Sequence, residues 1–152
     1  SGGTVELIGL NITGGSASGG GGLYIIGTAT LTNTNVYSNT ASLGGGLYIE
    51  GTATLTNTNV YSNQASGGGG LLILGTATLT NTNVYSNTAI FDYALRGDGG
   101  GIAIYGTATL TNTNVYSNTA SGYGGGGVYV YSNGVANFES CNIHDNTATY
   151  DG

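Results

Sequence analysis

Apolar and polar positions alternate with a period of two through most of this chain. In the stretch 27–51, Ala29 and Leu31 alternate with Thr28, Thr30 and Thr32. Val36 and Ser38 alternate with Asn35 and Tyr37, and Leu47 and Ile49 flank Tyr48. Alternation of this kind marks a strand with one buried face. A helix would need longer periodic runs, and consecutive glycines such as Gly67, Gly68, Gly69 and Gly70 work against one. The pattern predicts three short strands, 28–32, 35–38 and 46–50, with corners near residues 33–34, across 39–45 and at Gly51.

The same pattern returns along the whole chain. The string GTATLTNTNVYSN starts at Gly27, Gly51, Gly75 and Gly106, in steps of 24, 24 and 31 residues. The long step holds a seven-residue insertion between Ala89 and Gly99, read as a loop over residues 90–98. Degenerate copies begin at Gly3, 24 residues before Gly27, and at Gly134, 28 residues after Gly106. Atypical terminal copies are usual in solenoids.

One such unit cannot bury its apolar side alone, but stacked units can, each coil lying over the last at the ~4.8 Å strand spacing. Leu31 then falls in line with Leu55, Leu79 and Leu110. Val36 falls in line with Val60, Val84 and Val115, and Leu47 with Leu71, Ile102 and Val128. Asn33, Asn57, Asn81 and Asn112 form one polar column; Asn39, Asn63, Asn87, Asn118 and Asn146 form another. Stacked amides can hydrogen-bond along such columns and satisfy corner backbone groups, which makes both structural. The expected fold is all-β: one parallel β-helix (β-solenoid) over residues 1–152, about six coils of 24 residues, three strands each.

Two elements carry a resemblance. A glycine-apolar step, Gly44-Gly45-Gly46-Leu47, is followed by an apolar-x-x-Asn step, Val60-Tyr61-Ser62-Asn63. This resembles the repeat of chlamydial polymorphic outer-membrane proteins and related bacterial surface proteins, with Val in place of the usual Phe and Gly or Ile where Ala is common. The resemblance implies a right-handed, pectate-lyase-like β-helix and an extracellular or cell-surface setting. Adhesion or scaffolding follows only loosely, because the fold hosts many functions.

Composition narrows the function classes. Only one residue is Lys or Arg against seven Asp and Glu, for a net charge of −6. Nucleic acid and anionic membrane surfaces both demand clustered cations, so both are excluded as partners. No apolar run approaches the ~20 residues of a membrane-spanning helix. With no signal peptide and no initiator Met, the sequence reads as processed or as a segment of something longer. The near-identity of four units would also suit a designed consensus. Cys141 is the single cysteine, which excludes an intramolecular disulfide and a thiolate cage and suits a small buried hydrophobe.

Catalysis needs dissimilar polar groups gathered in a cleft, whereas repetition presents the same side chain in each coil. Only departures from the repeat can supply them. The insertion holds Arg96-Gly97-Asp98, the tripeptide read by integrins; the alternative is a solvated loop with a local ion pair, or Phe91 and Tyr93 folding back over the tube. The last unit holds Glu139, Cys141, His144 and Asp145. His144 aligns with the column of Tyr37, Tyr61, Tyr85 and Tyr116, and Glu139 aligns with Thr32 on another strand, so no acid–base pair is expected between them. Calcium-binding nonapeptide repeats would require Asp after the glycines, and Asp98 precedes them. No enzyme activity, metal or cofactor is expected.

The outward faces carry the remaining signal. Thr28, Thr30, Thr32, Thr52, Thr54, Thr56, Thr76, Thr78, Thr80, Thr107, Thr109 and Thr111 make a lattice of three columns. Its spacings are ~6.6 Å along a strand and ~4.8 Å between coils. Glu6, Ile8, Asn137 and Glu139 interrupt it at the two ends. Such a lattice resembles the Thr-x-Thr face of insect ice-binding proteins. It equally suits plain soluble strands or a bed for O-linked glycans. Asn11-Ile12-Thr13 is an N-glycosylation sequon. Tyr24, Tyr48 and Tyr129 make a second outward tyrosine set. No capping helix or charge run closes either end, so the solenoid should continue into flanking coils or stack head to tail on itself. The expected function is an extracellular structural rod or fibril segment, with ice binding and cell-surface adhesion as alternatives.

Overall fold

A computed structural model describes residues 2–92 and 98–149. The described chain is all strand and turn, wound into a parallel β-solenoid of six coils. Three six-stranded sheets and one five-stranded sheet run along it, and every pairing is parallel. The first sheet holds Thr28–Thr32 and its equivalents from Thr4–Ile8 to Val135–Glu139. The second holds Asn35–Tyr37, the third Thr40–Leu43 and the fourth Leu47–Ile49 with theirs.

The coil therefore has four sides. The segment expected as one long corner, 39–45, contains a fourth short strand, Thr40–Leu43. Its signal was an alternation too brief to separate from a turn, with Ala41 the one inward residue. The second strand also ends a residue early. Ser38, expected to face inward, is exposed at φ 54° and turns the corner.

The first four coils make left-handed residues at three corners, in the second coil Asn33 (φ 52°), Ser38 (φ 54°) and Gly44 (φ 60°), and the last two coils repeat the first two of these. Asn tolerates this region because its short side chain bonds locally. Glycine is required after Gly44 for another reason: a Cβ on Gly45 would sit 2.3 Å from the Gly69 carbonyl oxygen of the next coil. Backbone lies directly on backbone there.

The core is a set of columns. Ala29, Leu31, Val36, Leu47 and Ile49, with their equivalents in the middle coils, are at most 1% exposed. Register is one-to-one, so Leu31 lies over Leu55, Leu79 and Leu110. End coils have a neighbour on one side only, and there Val5, Phe138 and Ile143 are 46%, 42% and 48% exposed.

Polar columns run beside the apolar ones. Asn39 donates from Nδ2 to Asn63 Oδ1 at 3.0 Å, and the series continues through Asn87 and Asn118 to Asn146. Each Oδ1 also accepts the backbone N–H one coil back, and each Nδ2 also donates to a carbonyl of the preceding coil, as Asn63 does to Val36 at 2.9 Å. A second ladder, on the outer side, links Asn11, Asn35, Asn59, Asn83 and Asn114. Its donors point the opposite way, from the later coil to the earlier. Asn57 and Asn81 in the corner column point that way too. Thr34, Thr58, Thr82 and Thr113 are fully buried, each hydroxyl donating to the carbonyl two residues before it. Among the described residues no buried side-chain N or O lacks a partner, as a low-dielectric interior demands.

Candidate functional surface

The first sheet places its threonines outward and in register across four coils: Thr28, Thr52, Thr76 and Thr107, then Thr30, Thr54, Thr78 and Thr109, then Thr32, Thr56, Thr80 and Thr111. Alternate residues of the strands, Ala and Leu, are buried, so the lattice stands on a rigid base. The first column is exposed; the third is half-buried. Thr4 pairs with Thr28 and extends that column by one coil. The degenerate first repeat carries this threonine 24 residues before Thr28, and the sequence reading passed over it. Glu6 and Ile8 lie beside Thr30 and Thr32 at one end, and Asn137 and Glu139 beside Thr109 and Thr111 at the other.

The second sheet carries a ring ladder. Tyr37, Tyr61, Tyr85 and Tyr116 stack with centroids 4.9, 4.9 and 5.0 Å apart and planes within 6°. His144 continues it, 5.3 Å from Tyr116 at an interplanar angle of 3°. Its Nδ1 lies 2.8 Å from Asp145 Oδ2, an exposed contact. Cys141 takes the place of the corner threonines and, like them, donates to the carbonyl two residues before it, that of Glu139, and to that of Leu110 at 3.2 Å.

The outer face of the fourth sheet differs from coil to coil. Tyr24 and Tyr48 stack at 4.8 Å. Leu72 and Ala103, 3% and 0% exposed, then separate them from Tyr129, so this tyrosine set is not continuous. A neighbouring pair, Tyr105 and Tyr131, stacks at 4.7 Å. No repeat pattern announced it, because both tyrosines stand where earlier coils have Ile26, Glu50 and Leu74.

Two phenols here hold their protons unusually hard. Burial, then a hydrogen bond with Glu50 and its charge, pushes Tyr48 from 10.0 up to about 12. Burial, then the charge of Asp98, pushes Tyr105 from 10.0 up to about 12. The folded state thus keeps protons that unfolded tyrosines release. Stability from these groups is fully present below pH ~10 and is lost as pH rises through ~12. Alkaline unfolding followed by circular dichroism should set in across that window, together with phenolate absorbance, and Tyr48→Phe should shift it upward. Unchanged stability from pH 10 to 12 would contradict this.

The insertion lies in part outside the described residues, Arg96 and Gly97 of the candidate adhesion tripeptide and Tyr93 among them. Its third member is described: Asp98 is 4% exposed, and its Oδ2 accepts the Tyr105 hydroxyl at 3.4 Å. Within the insertion, Phe91 meets Tyr123 edge-on at 5.9 Å. Asn11 of the sequon is exposed on the second sheet, its Oδ1 accepting from Asn35. An apolar cavity of about 270 Å³ opens by the first coil between Val5, Leu7, Leu23 and Ile25. Among the described residues no three His, Cys, Asp or Glu side chains come together as a metal site, and no helix is long and apolar enough to cross a membrane.

A family model described as a right handed beta helix region matches residues 1–150. Comparison with curated proteins and with solved structures finds no match.

Proposed function

The chain belongs to the right-handed β-helix family, and from that premise we propose that it is a structural solenoid, a stiff rod segment outside the cell or at its surface that displays a repetitive Thr and Tyr face. The family includes enzymes of the pectate-lyase type as well as proteins without catalysis, so membership alone does not decide between them. The observation that carries the reading is the one-to-one register of outward side chains over four coils. A surface that repeats itself every ~4.8 Å suits display or lateral contact, whereas chemistry needs unlike groups converging on one atom.

Coil-on-coil packing also supports continuation along the axis. Val5 at one end and Phe138 and Ile143 at the other are core positions with one neighbouring coil each. They fit a further coil, supplied by flanking sequence or by a second copy stacked head to tail. Sugars on the threonines or on Asn11 would decorate such a rod without disturbing its core.

Negative-stain electron microscopy of the purified chain, with intact mass on the same sample, tests this. Thin unbranched filaments are expected, and excess mass would reveal glycans. A monomer that cleaves polysaccharide would overturn the reading.

A second reading, ice binding, draws on the rigid, regular Thr lattice. If it holds, Thr54→Tyr, at the centre of the lattice, should abolish ice shaping by the unmodified chain while leaving its unfolding transition in place. Ordinary hexagonal growth in the presence of the parent chain would end that reading.

A further inference from the structure

Tyrosines that stack within one ladder share a property no single residue has. Their phenols are fixed partners, held ring to ring by the register of the coils. Among the described residues five tyrosine pairs are stacked: Tyr37–Tyr61, Tyr61–Tyr85, Tyr85–Tyr116, Tyr24–Tyr48 and Tyr105–Tyr131, with centroids 4.7–5.0 Å apart. The second-sheet rings are half-buried, with part of each ring open to solvent.

We propose that these pairs are oxidative cross-linking sites, coupled to dityrosine by a one-electron oxidant of the peroxidase or photo-generated metal class, so that successive coils become covalently stapled.

The step balances as follows. Each phenol gives one electron to the oxidant and one proton to water, leaving two phenoxyl radicals on neighbouring rings. The radicals join through one carbon ortho to each oxygen, forming one C–C bond. Each of those carbons then loses its hydrogen to the ring oxygen as the phenol is restored. The product is short of two hydrogens, and two equivalents of oxidant are reduced. Burial and then the neighbouring phenols raise Tyr85 above its ordinary value, so at neutral pH it is a phenol and its electron leaves with its proton.

Placement makes the coupling intramolecular. A radical on Tyr61 has Tyr37 on one face and Tyr85 on the other at 4.9 Å. Held partners react at effective concentrations far above those of a dilute solution. A sideways rotation of either half-exposed ring brings the ortho carbons together. The ladder also sets which links form.

The test is visible-light oxidation of the dilute chain with a ruthenium tris-bipyridyl sensitiser and persulfate. Dityrosine fluorescence should appear on monomeric chain, independent of protein concentration, with a mass short of two hydrogens per link. Peptide mapping, by a protease that does not depend on basic residues, should join residues one coil apart within the five pairs. Tyr61→Phe keeps a ring in the stack and should remove the 37–61 and 61–85 links completely, leaving 24–48 at parental yield and 85–116 at parental yield or above, since Tyr85 then has one partner instead of two. The retained 24–48 link shows in the same sample that the fold survives. Dityrosine found only between chains, or an unchanged map in Tyr61→Phe, would each overturn the proposal.

Discussion

Asn87→Ala should destabilise the chain by roughly 4 kcal/mol or more, a large share of the ~5–15 kcal/mol by which domains are usually stable. Asn87 is fully buried. Its Nδ2 donates to Val60 O at 2.9 Å and to Asn118 Oδ1 at 3.0 Å, and its Oδ1 accepts from both the backbone and the side-chain nitrogen of Asn63 at 3.0 Å. Truncation leaves the Asn63 N–H and one Asn63 amide proton without partners in an interior that water does not reach, and takes from the Val60 carbonyl one of its bonds. Each such orphan costs about 1–3 kcal/mol. The outer ladder supplies the control. Asn83 makes similar amide-to-amide bonds at 2.8 and 2.9 Å, but it is only half-buried. Water can replace what Asn83→Ala removes, so that variant should lose under about 1 kcal/mol. Urea unfolding of both variants makes the comparison. Equal losses would mean that the inner ladder is no more than a decoration of the corner.

The second large effect concerns backbone against backbone. A Cβ on Gly69 would stand 2.3 Å from the Gly100 carbonyl oxygen and 2.5 Å from the Thr88 carbonyl carbon. Neither is a flexible side-chain end, so Gly69→Ala must push the next coil away and break the ladder around it. We expect a loss of at least about 3 kcal/mol, at the upper end of overpacking effects. Amide hydrogen exchange should localise the damage to the coils flanking residue 69, since each coil touches only its neighbours. Gly3→Ala is the matched control. No atom lies within 4 Å of its Cβ, and it should change stability by under about 0.5 kcal/mol. A tolerated Gly69→Ala would show that the coils are not in direct backbone contact there.

How much of this was written in the residues depends on the range of the interaction. Coil number, axial register and the inward Leu31, Val36 and Leu47 columns were legible, because a repeat of constant length fixes what lies over what. The alignment of His144 with the tyrosines was legible for the same reason. The fourth side was not: Thr40–Leu43 has one inward residue, Ala41, and two alternations cannot be told from a turn. The Thr34 column was read only as a corner, although its full burial follows from a hydroxyl that caps a carbonyl of its own chain. The Asn35 ladder escaped because an outward Asn looks like any soluble residue until its register is known. On the functional surface, the Thr lattice could be read directly, whereas Tyr105 against Tyr131 and the burial of Asp98 arise where coils differ, and periodicity says nothing about differences.

The two kinds of Asn ladder have a consequence for length. Amides aligned head to tail add their dipoles, as peptide units do along a helix, and files all aligned one way would leave partial charges of opposite sign at the two ends of the rod. Here the buried file runs one way and the outer files run the other, while a sheet contributes little net dipole of its own. Each added coil therefore contributes opposing increments. Lengthening the rod adds amide dipoles of both directions, and its tips carry less pole charge than files all aligned one way would give them.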